Sequence, residues 1–207
     1  MPEQLKGFPL FLLGIVALPG ESVPLHVFED RYLMMIEECM LAEREFGIVW
    51  SSDGDLKPVG CACRIEEEIE RMEDGRLNIL VRGTTPFRLV ERQDDLPYPA
   101  AVIEFLIDEP EGADAEAALS ARELYRDLVE QATDQKLGEE ELDALDAYGM
   151  AATVEFGSDA KQELLELRSE NARLRLLALL LRAAMKRLEL VERAQTRARS
   201  NGKVRFG

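Results

Sequence analysis

The chain owns one histidine, His26, set between Leu25 and Val27 in the stretch PGESVPLHVFEDRY, with Glu29 and Asp30 close behind. An imidazole beside carboxylates has the parts of a general base, and any Ser–His–Asp or Cys–His arrangement here would have to use it. With one histidine, metal sites built from several imidazoles are excluded. The three cysteines, Cys39, Cys61 and Cys63, show no C-x-x-C spacing. Cys61 and Cys63 lie two apart in an alternating strand, so both thiols face one side, as core residues do. There is no G-x-x-x-x-G-K-[ST]; Gly202-Lys203 lacks the upstream glycine and the following hydroxyl residue. No G-x-G-x-x-G, G-x-S-x-G or H-E-x-x-H occurs either. A pair of acids for glycoside hydrolysis cannot be singled out among 41. No catalytic, cofactor-binding or metal-ligating residue is therefore assigned, and no cofactor is expected.

The elements that would position such groups fall into two halves. The first ~110 residues read as strands split by turn signals: FPLFLLGIVAL, then FGIVWS (46–51), VGCACRIEEEIERM (59–72), RLNILVRG (76–83), FRLVERQ (87–93) and AAVIEFLID (100–108). Asp74-Gly75 between alternating runs predicts a hairpin, because glycine accepts positive φ at little cost; Asp53-Gly54 is a second candidate turn. From Val59 onward, alternation places Val59, Cys61, Cys63, Ile65 and Ile69 inward, with Arg64, Glu66, Glu68 and Glu70 outward. One helix interrupts this region: in EDRYLMMIEECMLAE the residues Tyr32, Leu33, Ile36 and Met40 form a stripe at helical spacing.

After Pro110 the pattern turns helical. Helices are predicted over 113–135, with Leu119, Leu124, Leu128 and Val129 on one face, over 140–154, over 159–167, and over 170–194. The last contains a heptad-like series, Leu164, Leu167, Asn171, Leu174, Ala178, Leu181, Met185, Leu188, which as a coiled coil would make Asn171 the position that fixes register. Leu176, Leu177, Leu180 and Val191 widen the apolar surface beyond a seam, which favours a helix packed in a bundle. The expected core comprises Leu13, Val16, Ile79, Val81 and Leu89 on the sheet and Leu174, Leu177 and Leu181 in the bundle.

Composition and charge narrow the partners. The chain is 46% hydrophobic and 32% charged, with net charge −16. Residues 186–207 carry seven Lys/Arg against two Asp/Glu, so the remainder is −21. An acidic body repels phosphate and anionic lipid, so neither nucleic acid nor membrane is an expected partner. Tyr32, Trp50, Phe87 and Tyr98 are scattered and form no base-stacking series. No apolar run reaches the length of a membrane-spanning helix, and the N-terminal run lacks the marks of a signal peptide. The cysteines suit reduced thiols in the cytoplasm.

PLFLLGIVALPGESVPLHVFEDRY resembles the start of the Lon protease N-terminal, substrate-binding domain, with its pattern PLFPL-x-x-x-x-FPG-x-x-x-PLHIFE-x-RY. The likeness continues through FGIVW, VGCACRI, DGRLNILVRGTTPFRLV, YPAAVIEFL and KQELLELRSENARLRLL. Asp30 and Pro86 depart from it, standing where proline and a basic residue are frequent. The resemblance implies an α+β fold: a curved PUA-like β subdomain of about six strands and one helix, followed by a C-terminal helical bundle. It covers a domain over 8–195, with a β-rich part over 1–110, a helical part over 111–195, and a basic, disordered tail over 196–207. It also implies a place for the histidine. Pro19-Gly20 turns the chain, VPLHVF forms a second strand leading to a helix over Glu29–Ala42, and Glu29 accepts from Arg31 or backbone. His26 is then a partly buried ring hydrogen-bonded to backbone.

The function implied is that of a non-catalytic module binding polypeptide, as unfolded or exposed segments, with the site expected in a groove between the β subdomain and the bundle or on the face of the curved sheet. An acidic rim would favour basic, apolar peptides. The alternative is an adaptor or regulator docking on a cytosolic protease or chaperone. Because the chain ends at Gly207, the resemblance is to members that stand alone, without ATPase and peptidase modules; a monomer or weak homo-oligomer is expected. No polypeptide-binding residue is assigned.

Overall fold

The computed structural model describes residues 4–201 apart from Asp53 and Asp94. The chain divides into two compact units, Met1–Glu111 with Tyr148–Glu170, and Gly112–Ala147 with Asn171–Gly207. In the first unit lie β1 (Gln4–Leu13), β2 (Ser22–Val27), α1 (Asp30–Leu41), β3 (Phe46–Ser52), β4 (Asp55–Leu56), β5 (Val59–Arg71), β6 (Leu77–Gln93) and β7 (Ala100–Phe105). The helices are α2 (Ala115–Thr133), α3 (Glu139–Asp143), α4 (Ala147–Ala151), α5 (Ser158–Glu166) and α6 (Glu170–Asn201). The fold is thus the expected α+β arrangement, an antiparallel β subdomain with C-terminal helices.

Five strands pair in a ring, β1–β7–β6–β5–β3 and back to β1, where the closing pair is parallel (Leu10 beside Gly47). Ring closure removes most free edges. Phe8, Leu10, Val49, Ala62, Phe87, Ala101 and Ile103 fill the interior, with Phe8 edge-on to Phe87 at 5.5 Å. The seam is tight enough to demand glycine: a Cβ on Gly60 would lie 2.7 Å from the Phe87 ring. α5 covers the other side of β5, and Gln162 donates to the Val59 carbonyl at 3.1 Å. Residues 59–63 are therefore buried on both faces, without alternation.

Several expectations change. The two predicted strands 76–83 and 87–93 are one seventeen-residue strand, β6. Thr84-Thr85-Pro86 reads as a break, yet the strand runs through it: Pro86 lies opposite Cys61, and β6 takes up an extra residue there, three steps from Gly83 to Pro86 against two from Cys61 to Cys63. The Pro86 carbonyl accepts from Leu106 N at 2.8 Å. Ile69, expected inward, is exposed, because further irregularities at Ile65/Glu67 and Glu68/Glu70 shift the phase of the strand. β1 stops at Leu13; Val16 is buried beyond its end, and Leu13 and Leu89 are half-buried, while Ile79 and Val81 are fully enclosed. In α1 the buried stripe is Tyr32, Met35, Ile36 and Cys39, with Leu33 and Met40 at its margin.

The Asp74-Gly75 hairpin is present: Gly75 has φ 88°, its N–H donates to the Met72 carbonyl, and Asp74 accepts from Arg76 N. At the second turn Gly54 also has φ 88°, while Asp53 lies outside the described residues. β2 alternates strictly and pairs antiparallel with the first half of β6, His26 opposite Asn78.

In the second unit α2 starts at Asp114, whose carboxylate accepts from Ala117 N at 3.0 Å and binds Arg175. The Ala117 N–H and then Arg175 hold that carboxyl below its ordinary range. Asn171 brackets the same start, accepting from Asp114 N at 2.9 Å and donating to the Gly112 carbonyl at 2.7 Å. Its polar group serves this chain's own helix cap rather than a coiled-coil register. Asp114 meets Arg175, and Ser120 meets Arg182, so α2 and α6 run side by side in the same direction.

The buried face of α2 is Ala117, Ala121, Tyr125 and Leu128; of the expected residues only Leu128 belongs to it, and Leu119 is exposed. The helix predicted over 140–154 is two short ones, α3 and α4. On α6, Leu174, Leu177 and Leu181 are buried as expected, and no described residue after Leu181 is. α6 continues through Asn201 into the segment expected as a tail; 202–207 lie outside the described residues. Among the described residues no helix is long and apolar enough to cross a membrane.

Candidate functional site

His26 is not a partly buried turn residue. It stands on the outer face of β2, exposed, with Nδ1 2.7 Å from the Asn78 amide oxygen, and Asn78 in turn donates to Glu70 at 3.0 Å. The ring lies beside the exposed Phe28. Glu29 accepts from Arg31 at 3.0 Å, as expected, and is thereby engaged. The thiols are all buried. Burial pushes Cys61 well above its ordinary range, and it pushes Cys39 up against the opposing pull of Arg44. The Cys61 and Cys63 thiols donate to the carbonyls of Ala62 and Cys61. A nucleophile needs a thiolate and a base within reach; here thiols and imidazole are each committed to other partners.

Two grooves of the first unit lie where α1 hands the chain to β3. α1 closes with Ala42 N bonded to the Glu38 carbonyl, Glu43 takes φ 48°, and Arg44 N donates to the Cys39 carbonyl at 3.0 Å. The Arg44 side chain is then held by Glu38 (3.1 Å) and by the Tyr98 hydroxyl (2.7 Å), which itself donates to Glu38 at 2.5 Å. Burial first, and the Glu38 carboxylate second, push the Tyr98 hydroxyl up, so it stays a neutral donor. This triangle of Glu38, Arg44 and Tyr98 fixes the turn between two grooves.

The first groove, about 350 Å³, is mainly apolar: Leu5, Phe8, Pro9 and Phe105 line it, with Arg44 and Glu45 at one side. β1 is irregular there, between Leu5 and Phe8, where Gly7 takes φ 68° and donates to Gln93 at 2.7 Å. The second, about 450 Å³, lies between the end of α1 (Cys39, Met40, Glu43, Arg44) and Arg64–Glu68 of β5. Four carboxylates against two guanidinium groups make its lining acidic. None of these residues stands out in the sequence by motif. Arg44, Glu38 and Tyr98 come together only when α1, its turn and the β6–β7 connection fold; the one advance signal was the acidity of the run 66–70.

The first unit is thus a closed, mostly antiparallel ring of strands with an acidic groove and an apolar one on either side of the turn after α1. The chain belongs to the family described as the ATP-dependent protease La (LON) substrate-binding domain, which it matches over residues 7–183. It is 26% identical to the Lon protease of Anaeromyxobacter dehalogenans and 26% identical to Lon protease 2 of Myxococcus xanthus. Each comparison covers 92% of this chain but 24% and 25% of those proteins, so the chain spans about a quarter of these relatives' length. Among solved structures, the Lon N-terminal domain protein from Xanthomonas campestris is similar at TM-score 0.66 and 26% identity, over 84% of this chain and 97% of that one. The N-terminal domain of a Mycobacterium avium complex Lon protease shares the fold at TM-score 0.65 and 19% identity, over 83% and 96%.

Proposed function

We propose that this protein is a non-catalytic polypeptide-binding module of the cytoplasm that holds unfolded or exposed segments in the grooves beside Arg44. The observation that carries this reading is the pairing of an apolar groove with an acidic one across a single pinned turn, in a chain of the substrate-binding family. A segment with both basic and apolar side chains finds complementary surfaces within one short stretch, while a folded globular surface presents few such stretches together. Neither nucleic acid nor membrane is a partner in this reading, since the acidic body repels both; the buried free thiols suit a reducing compartment.

The test is titration of the protein into fluorescently labelled casein, and into a folded globular protein of similar charge. Saturable binding of casein, with no cleavage and no ATP hydrolysis, is expected. Absence of binding to casein, or turnover that survives independent purifications, overturns the reading. Preferential binding of a folded protease or chaperone would replace it with the adaptor reading.

A further inference from the structure

We propose that the acidic groove is a strand-addition site, in which a partner's extended segment, alternating basic and apolar residues, pairs with the open edge of β5. This rests on the polypeptide-binding reading and gives it a location and a mode. β3 pairs with β5 only at Cys61–Cys63, because beyond Phe46 the chain turns away through Glu45 and Arg44 to α1. β5 runs on to Arg71, paired from there only with β6 on its opposite side. Along this stretch the backbone N–H and C=O groups that would have met β3 have no strand partner among the described residues. Such an edge is a template for another chain.

The groove follows that edge. Every residue from Arg64 to Glu68 lines it, and since successive side chains point to opposite faces, a surface touching all five must run along the strand's side. Met40 and Ile65, both half-buried, offer apolar contacts. The charge is selective. Glu66 is held by Arg82 and Glu68 by Arg71, whereas the Glu43 and Glu67 carboxylates have no hydrogen-bond or ion-pair partner among the described residues. Two unpaired carboxylates on the two walls suit Lys or Arg side chains of an incoming strand and repel the same acidic edge of a second copy. Another open edge, on β2, carries Pro24, which has no N–H to offer. The irregularities in β5 at Ile65/Glu67 and Glu68/Glu70 keep the regular stretch short, so the segment taken is short too.

The test uses a labelled acetyl-Lys-Val-Arg-Leu-Lys-Val-amide peptide with the full chain, read by fluorescence anisotropy. Two further peptides carry N-methyl groups on the odd or on the even amides. Strand addition uses alternate amides, so one methylated series should bind at least about tenfold more weakly while the other stays within about threefold, the loss of one or more hydrogen bonds. The Glu43→Lys, Glu67→Lys variant, checked for an unchanged melt, should lose binding by a similar factor, and amide NMR shifts should concentrate in 64–68. Equal binding of both methylated series, or shifts confined elsewhere, overturns strand addition at β5. Casein separates the two readings. If wild type binds casein and the variant binds it equally, the edge proposal falls and the binding module stands. If wild type does not bind casein, the module reading itself falls.

Discussion

Gly83 tests the packing of the barrel most directly. Its φ is ordinary, so its glycine is required by space rather than by backbone conformation: a Cβ there would stand 2.1 Å from the Leu18 carbonyl oxygen and 3.2 Å from the Cys61 sulfur. The first obstacle is backbone and cannot swing aside. In Gly83→Ala the segment around Leu18 must retreat by about 1 Å, since contacts under 3.0 Å are essentially never tolerated. That segment is tied to β6 by Gly20 N to the Gly83 carbonyl (2.8 Å) and Gly83 N to the Glu21 carbonyl (2.9 Å), so the retreat stretches both bonds. Overpacking costs about 1–3 kcal/mol and each weakened hydrogen bond about 1 kcal/mol, together roughly 3–5 kcal/mol. For a chain of this size that lowers the melting temperature by about 6–20 °C. The chain's one tryptophan, Trp50, lies in β3, so its fluorescence follows the barrel unit in particular. Gly14→Ala is the control, since a methyl at that position would meet no atom within 4 Å and its φ is unremarkable; it should melt within a degree or two of wild type. A Gly83→Ala protein melting alongside Gly14→Ala would refute the close approach of β6 to Leu18.

Leu181→Ala, at a fully buried position of α6, should cost about 2–5 kcal/mol by far-UV circular dichroism melts, while Leu190→Ala, at an exposed one, should stay within about 0.5 kcal/mol. Asp114→Ala should lower the melting temperature of the helical unit at neutral pH. The carboxyl is held below its ordinary value in the folded state, so its stabilisation is present above the unfolded value of about 3.9 and fades as pH falls through the lower folded one. The gap between wild type and variant should therefore close in acid, and a gap independent of pH would refute the assignment. Lys161 and Glu21 pair with side chains only 12% and 13% exposed. Lys161→Met should cost about 1–3 kcal/mol by leaving Glu21 short of a partner, and adding Glu21→Gln should restore part of it.

What could be read in advance was local. The Asp74-Gly75 turn, the alternation of β2 and the enclosed leucines of α6 each follow from a pattern that repeats over a few residues. The errors arose where a distant partner sets the outcome. Ile69 faces solvent because bulges against β6 shift its phase, and Thr84-Thr85-Pro86 continues a strand because β6 takes up an extra residue there against Cys61–Cys63 of β5. The α2 face is built on Ala117 and Ala121 rather than Leu119; small residues carry no apolar signal of their own, though they let helices approach. His26 drew attention by being alone, yet its partner Asn78 is fifty-two residues away on a neighbouring strand.

The grooves have the same origin. β3 is seven residues long and β5 thirteen, and a ring of strands with unequal lengths leaves the longer one with an unpaired side. What decides where β3 begins is the turn at Glu43–Glu45, and what holds that turn is Arg44 gripped by Glu38 and Tyr98. Arg44 thus sets the upper limit of the barrel seam and borders both grooves at once. The same reasoning explains why an acidic run survives on an open edge. Like charges at such an edge discourage pairing with another acidic strand, and in a chain whose first 185 residues total −21 nearly every copy it meets is acidic. The carboxylates that guard β5 against its own kind are the ones that admit a basic strand, so protection and selectivity come from a single set of side chains.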